Sequence, residues 1–383
     1  MKHRDLSILK AINKKRLVLR FTHLVKIESI SKNEKRAGKY IRNQLDAMGI
    51  KSRVDGAGAR IGGNCGNIFA SIKGNIKNSS RILFNAHIDT VTHKGKIEPA
   101  VKSGVIKSDG TTILGADCKA SVAAILEAVA VIKMNNITHG DIDLLFTVAE
   151  EIGIYGAKNC DPKFLRADHG FVFDGGDVDQ IINSAPSQVS FEADIKGRSA
   201  HAGTHPENGI NAIKVASEAI AQIKIGRIDH ETTSNVGIIA GGTARNIVPE
   251  SVHITGEARS RNKAKLKRQM RRITDVLTRT CKKYKASLRL KVEPSYNLFE
   301  VKKSSRLIEV AKAAISSIGL TPKIAATGGG SDANVFNQRG LPSIILGAGF
   351  HNIHTSKEYI RVEDLVKGAE LILALIIESA KTK

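Results

Sequence analysis

The chain has 383 residues, 59 Lys and Arg against 37 Asp and Glu, a formal net charge of +22, four Cys and no Trp. That length suits two domains with ordinary apolar cores, and the scarcity of aromatic residues argues against stacking platforms for nucleic acid. The basic residues are scattered, densest near Lys263–Lys285, so the charge is read as general attraction of anionic solutes, with no nucleic acid as partner.

Cys65, Cys118, Cys160 and Cys281 are far apart and form no C-x-x-C pair. Such spacing fits reduced thiols in the cytoplasm better than a disulfide framework. Charge interrupts each apolar run of Met1–Lys10, so no signal peptide is expected there. No stretch approaches the length of a membrane span. The expectation is a cytoplasmic protein without a membrane partner.

Taken in order, residues to about 48 read as two helices. A capping box, Ser31-Lys32-Asn33-Glu34, opens the second, and Gly49 stops it. Short β pieces follow near Ser52–Val54 and Ile68–Ile72, then a strand Ile82–Ala86 leading into His87-Ile88-Asp89. A hairpin with an Asp109-Gly110 turn is expected before Gly115-Ala116-Asp117-Cys118, where Asp117 opens a small-residue helix to Lys133. The strand Leu144–Val148 ends on Glu150-Glu151, and Gly170–Phe173 ends on Asp174-Gly175. Strands alternating with helices predict an α/β domain with a mostly parallel mixed sheet flanked by helices, whose ligands gather beyond the carboxyl ends of strands.

From about Asn183 the pattern becomes antiparallel, with Val189, Phe191, Ala193 and Ile195 alternating with polar residues. The order β-α-β-β-α-β to Val292 is that of a ferredoxin-like insert. After Pro294 the α/β pattern resumes with a helix Ser304–Ser317 and a strand near Ile344–Leu346. The expected organisation is a catalytic domain over 1–182 and 297–383, interrupted by a ferredoxin-like α+β lid or dimerisation domain over 183–296.

The pair Glu150-Glu151 sets an electrostatic problem. Desolvation and mutual repulsion oppose ionisation of two carboxylates at a buried strand end, and a metal ion is the commonest compensation. Singly, each possible partner has a plain structural reading. His87 suits a satisfied core histidine, Asp117 an N-cap, Asp174 a turn residue and His354 a surface loop. Their joint occurrence in this order is another matter.

These residues resemble a known group, the di-zinc exopeptidases that include peptidase T, carboxypeptidases and aminoacylases. The likeness is carried by His87-Ile88-Asp89-Thr90-Val91, Gly115-Ala116-Asp117, Glu150-Glu151-Ile152-Gly153, Asp174-Gly175 and His354-Thr355. In the insert it is carried by Gly197–Gly203, Pro206-Glu207-Asn208-Gly209, Gly241–Pro249 and Gly256–Ser260. Ala202-Gly203-Thr204-His205-Pro206-Glu207 and Gly328–Asn334 are most similar to the peptidase T-like, tripeptidase-like branch.

The resemblance implies two zinc ions, with cobalt or manganese as substitutes. His87, Asp117 and Asp174 would hold one, and Asp117, Glu151 and His354 the other. Imidazole and carboxylate donors suit zinc, and a bridging Asp117 neutralises charge between the cations. Asp89 would orient His87, and Glu150 would be the general base that moves a proton from the attacking water to the leaving amine. His201 is a candidate oxyanion donor. Asn246 and Arg259 are candidates for holding the substrate carbonyl or carboxylate, and Arg259 reads equally as a solvated strand-end charge.

Three positions depart from the group's pattern. Cys118 stands where a second polar residue, often Asp or Asn, is usual, which puts metal preference in question. His93 stands where proline is common and is an extra potential ligand or a loop residue. Arg245 replaces a smaller residue and could shift preference toward acidic groups.

The implied activity is an aminopeptidase or tripeptidase acting on short peptides, with a homodimer through the lid as the expected assembly. The alternative enzyme is an N-acyl-amino-acid amidohydrolase or carboxypeptidase on the same metals. A basic, non-enzymatic nucleic-acid-binding protein is the reading from a different class.

Overall fold

The computed structural model describes residues 6–381; Met1–Asp5, on which part of the leader reading rests, lie outside the described residues. The chain divides into two units at 183/184 and 299/300, and Thr327–Gly330 goes with the smaller one.

In the larger unit, the apolar run Ile142–Thr147 is buried at every position and pairs in parallel with Ile82–His87, itself fully buried. Ile82–His87 pairs in parallel with His169–Gly175, which pairs in parallel with Ser343–Gly347. Strands covered on both faces read as continuous apolar runs, which is why alternation is absent here. Antiparallel strands flank this core, Ile68–Ile72 beside Ile142–Thr147 and Gln180–Ala185 beside Ser343–Gly347. The sheet is mixed and mostly parallel at its centre, as its residue pattern implies.

Helices cover it. Ala116–Met134 is buried nearly all round, in keeping with its Ala and Val content, and Val362–Ser379 packs against it. Helix Lys14–Lys26 is tied to the same central helix by charge. Arg16 and Arg20 both donate to the fully buried Glu127, at 2.7 and 3.0 Å.

In the smaller unit, an antiparallel sheet runs in the order Gly226–Arg227, Thr232–Gly241, Ser251–Ser260, Ser187–Lys196 and Ser287–Tyr296. Helices Ala212–Gln222 and Lys263–Lys283 pack Val215, Ala219, Ile273 and Leu277 against Phe191, Ala193 and Ile254. The chain order is β-α-β-β-α-β apart from a two-residue strand, which makes this unit ferredoxin-like.

Two local expectations are corrected. The Ser31–Glu34 capping box does not form. Glu34 is the N-cap of helix Lys35–Ala47 without a side-chain cap, and both side chains bond elsewhere, Ser31 to Asp89 and Glu34 to the Ala149 amide. The hairpin turn before Gly115 is Ser103-Gly104, between strands Ala100–Lys102 and Val105–Lys107, with both turn residues at positive φ. Asp109-Gly110 forms the next loop, where Asp109 accepts from the Thr111 amide. In each case a tertiary partner, or a nearby strand pair, outcompetes a locally reasonable motif.

Candidate metal centre

The carboxyl ends of the four parallel strands converge. His87 closes Ile82–His87, Glu150 and Glu151 follow Ile142–Thr147, Asp174 lies near the end of His169–Gly175, and His354 lies in the segment after Ser343–Gly347. His87 Nε2 lies 3.1 Å from Asp117 Oδ1 and 3.7 Å from Asp174 Oδ1. The other oxygen of Asp117 lies 3.3 Å from His354 Nε2, which is 3.0 Å from Glu151. Asp117 therefore gives one oxygen to each of two clusters, and within each cluster the donor atoms lie within 4.8 Å of one another. Cys118 Sγ belongs to the His87–Asp117–Asp174 cluster by the same distance.

The charges here are out of balance without a cation. Burial pushes Asp174 up to about 7, with Asp117 adding repulsion. Burial and the neighbouring Asp174 push Glu150 well above the usual carboxylate range. Burial also tends to raise Asp117, but hydrogen bonds with His354 and His87 outweigh it and hold that carboxyl below the usual range. In return, Asp117 and Glu151 draw His354 up to about 10. Burial opposes charge on His87, yet the acidic groups around it prevail and raise its pKa. The carboxylates thus demand positive charge, which two divalent cations would supply, and the imidazole–carboxylate donor set suits zinc-like ions. The residues fit a two-cation centre.

Neighbouring carboxylates hold the ligand-bearing loops. Asp89 is fully buried. Its Oδ1 accepts the Glu150 amide at 3.0 Å, and its Oδ2 accepts the Glu151 amide at 3.2 Å and the Ser31 hydroxyl at 2.6 Å. His87 Nδ1 lies 3.0 Å from the Asp89 carbonyl and 3.4 Å from its carboxylate, so the Nδ1 proton points there and Nε2 faces the cluster. Ala149 sits at φ +51°, and Glu34 accepts its amide at 3.0 Å. Glu358 accepts the amides of Leu114 and Gly115 at 2.8 Å and of Asp117 at 3.1 Å, which fixes the loop that presents the shared aspartate.

A profile of Peptidase family M20/M25/M40 matches residues 83–378, a span that includes all five candidate ligands. The chain belongs to this family.

Among solved structures, aminopeptidase PepT from Bacillus cereus is 40% identical, with a TM-score of 0.86 over 96% of this chain and 99% of that one. A tripeptidase from Staphylococcus aureus is 36% identical, with a TM-score of 0.91 over 97% of this chain and 100% of that one. Peptidase T of Fusobacterium nucleatum subsp. nucleatum is 31% identical over 281 residues, 72% of this chain and 68% of the relative.

For this member of the M20 peptidases, the larger unit brings together His87, Asp89, Asp117, Glu150, Glu151, Asp174 and His354. Among the described residues no hydrogen bond engages the Glu150 carboxyl, whereas Glu151 is bonded to His354.

His201, Asn246 and Arg259 lie in the smaller unit. There, the loops carrying His201 and Asn246 pair: Ala202 donates to the Asn246 carbonyl at 3.0 Å and Val248 to the Ala200 carbonyl at 2.9 Å. Nδ1 of His201 accepts from the amides of Gly203 and Thr204 at 3.2 and 3.1 Å, so in the neutral ring Nε2 carries the proton and is a donor. Arg259 is not part of this patch. It stands near the far end of Ser251–Ser260, roughly 26 Å along the strand from Ser251 at ~3.3 Å per residue, and its Nε donates to Glu257 at 2.7 Å.

His93, a half-buried loop residue, joins neither donor cluster. Arg245 is exposed in the loop that carries Asn246.

Sequence reasoning missed Glu34 and Glu358, and it gave Asp332 no role of its own. Asp332 is buried at the start of helix Asp332–Gln338 and accepts from the hydroxyl of Thr147, the last residue of the strand that leads to Glu150. Burial pushes its pKa up to about 6. The Gly328–Asn334 motif was the available signal for Asp332. For Glu34 and Glu358 there was none, because single acidic residues in polar loops carry no pattern.

Proposed function

We propose that this chain is a di-zinc aminopeptidase that removes N-terminal residues from short peptides, tripeptides among them. The observation that carries the reading is Asp117, whose two oxygens serve two donor clusters, while Glu150, whose carboxyl no hydrogen bond engages among the described residues, follows the same strand as Glu151. The names of the similar proteins support the substrate class. Bound zinc ions would polarise the scissile carbonyl and make water nucleophilic near neutral pH.

The chain's own residues divide the remaining work. His87, Asp117 and Asp174 hold one ion, and Asp117, Glu151 and His354 hold the other. Glu150 accepts a proton from the attacking water at a carboxylate oxygen and returns it to the leaving amine. Asp89 keeps His87 oriented and Glu150 in place. His201, through Nε2–H, donates to the developing oxyanion, with Asn246 beside it.

The reading extends to a cytoplasmic homodimer. All four cysteines are free, which supports a reducing compartment. Strand Thr232–Gly241 is covered on one side only by two-residue Gly226–Arg227, which leaves an edge bearing exposed Ile238 and Ile239 for a second copy.

The test is a panel of di- and tripeptides offered with free and with acetylated N-termini, after loading with zinc, cobalt or manganese. Turnover of free-amine tripeptides, blocked by acetylation, is expected. Preference for the acetylated set would instead identify an N-acyl-amino-acid amidohydrolase. Glu150→Ala should retain bound metal and lower the rate by roughly 10²–10⁴; unchanged turnover would remove Glu150 from its role.

A further inference from the structure

We propose that Cys118 is a fourth protein donor to the cation at His87, Asp117 and Asp174, making that half of the centre a nitrogen–oxygen–sulfur site selective for zinc and other thiophilic ions over manganese and magnesium. The inference rests on the two-cation reading above and concerns which ions the centre takes.

The geometry carries it. Cys118 is fully buried, and its Sγ lies within 4.8 Å of the donor atoms of His87, Asp117 and Asp174. The thiol donates to the Phe173 carbonyl at 2.7 Å, and that carbonyl also receives the Ser121 hydroxyl at 2.8 Å. When Cys118 releases its proton, Phe173 keeps a donor, so ligation leaves no buried acceptor unpaired.

On loading, the metal–sulfur bond forms as the S–H bond breaks, and the thiol proton leaves to solvent.

The two halves then differ in kind. The buried half offers imidazole, carboxylate and thiolate, whereas Asp117, Glu151 and His354 offer only nitrogen and oxygen, with His354 exposed. Soft thiolate ligands favour zinc, while carboxylate and water suit manganese and magnesium.

The experiment uses the full-length protein, stripped by a chelator and reloaded, with metal content measured by elemental analysis. Cobalt-loaded wild type should show sulfur-to-cobalt charge-transfer absorption in the near ultraviolet, and Cys118→Ser should lose that band while still binding cobalt. X-ray absorption of zinc-loaded wild type should show one sulfur at about 2.3 Å, a measurement that does not depend on the variant folding. In competition, zinc's advantage over manganese should fall roughly tenfold or more in Cys118→Ser. Two cobalt ions per chain without the band, or a zinc shell of nitrogen and oxygen alone, overturns the proposal. A protein that binds no metal overturns the two-cation reading as well, so the two failures are told apart by stoichiometry.

Discussion

Asp89 Oδ1 accepts the backbone amide of Glu150 at 3.0 Å, so the residue two positions after one candidate ligand anchors the segment carrying the candidate base and another candidate ligand. Its second oxygen takes the Glu151 amide and the Ser31 hydroxyl. Orienting His87 is thus only part of its work. Replacing Asp89 by Ala should lower kcat/KM by roughly 10–100-fold and leave two half-buried amides without their acceptor, at a stability cost of about 1 kcal/mol for each. Steady-state kinetics and urea unfolding check both; a variant with wild-type stability and rate would show that the anchor is dispensable.

Glu150 and Glu151 are adjacent but differently engaged, and metal content should separate them. Glu151→Ala removes a donor from the cluster of Asp117 and His354, so about one ion per chain should be lost while the His87 half keeps its own. Glu150→Ala should lose none. Elemental analysis after dialysis decides. Equal losses in both variants would contradict the division of roles.

Glu358 holds three amides of the loop that presents Asp117. Glu358→Ala should weaken metal binding by roughly 10–100-fold without touching any candidate ligand. Chelator competition reads the affinity directly, and unaltered affinity would make Glu358 a purely local brace.

Glu34 is buried, and burial together with Asp89 pushes its carboxyl up to about 7. An unfolded glutamate titrates near ~4.3. The folded state therefore holds a proton that the unfolded state releases, and this group's contribution to stability falls as pH rises from about 4.3 through about 7. Glu34→Gln should be more stable relative to wild type at pH ~8 than at pH ~5, by on the order of 1–3 kcal/mol. Thermal melts of both proteins at the two pH values test the sign; a constant difference would mean Glu34 does not titrate in this window.

The edge of Thr232–Gly241 gives a prediction about assembly. Ile238→Lys places a charge on an exposed edge residue that packs on no core. If this edge joins two copies, the variant should sediment as a monomer at concentrations where the parent is a dimer.

Much of the centre was legible because its residues fall at strand ends, where an apolar run stops on a polar group. His87, Glu150-Glu151 and Asp174 each carry that mark, and the resemblance supplied Asp117 and His354. Asp89 was legible as a partner for His87 but not as the anchor of Glu150, since that bond crosses 61 residues. Glu34 shows the opposite case. Its spacing from Ser31 reads locally as a cap, yet its carboxylate is used on Ala149, 115 residues away.

The sequence by itself determined the fold class, the insertion of an antiparallel unit into a parallel one, and which residues are candidate donors. Hydrophobic periodicity and side-chain chemistry are local properties, written residue by residue. Only the tertiary structure decided that Cys118 lies among the donor atoms of one cluster, that Asp89 anchors the segment of Glu150 and Glu151, and that Arg259 stands away from His201 and Asn246. Those are distances between chain-remote atoms, set by how parallel strands align their carboxyl ends. The two glutamates that close Ile142–Thr147 are compatible with burial for that reason: the neighbouring strands bring histidines and a place for cations to the same spot.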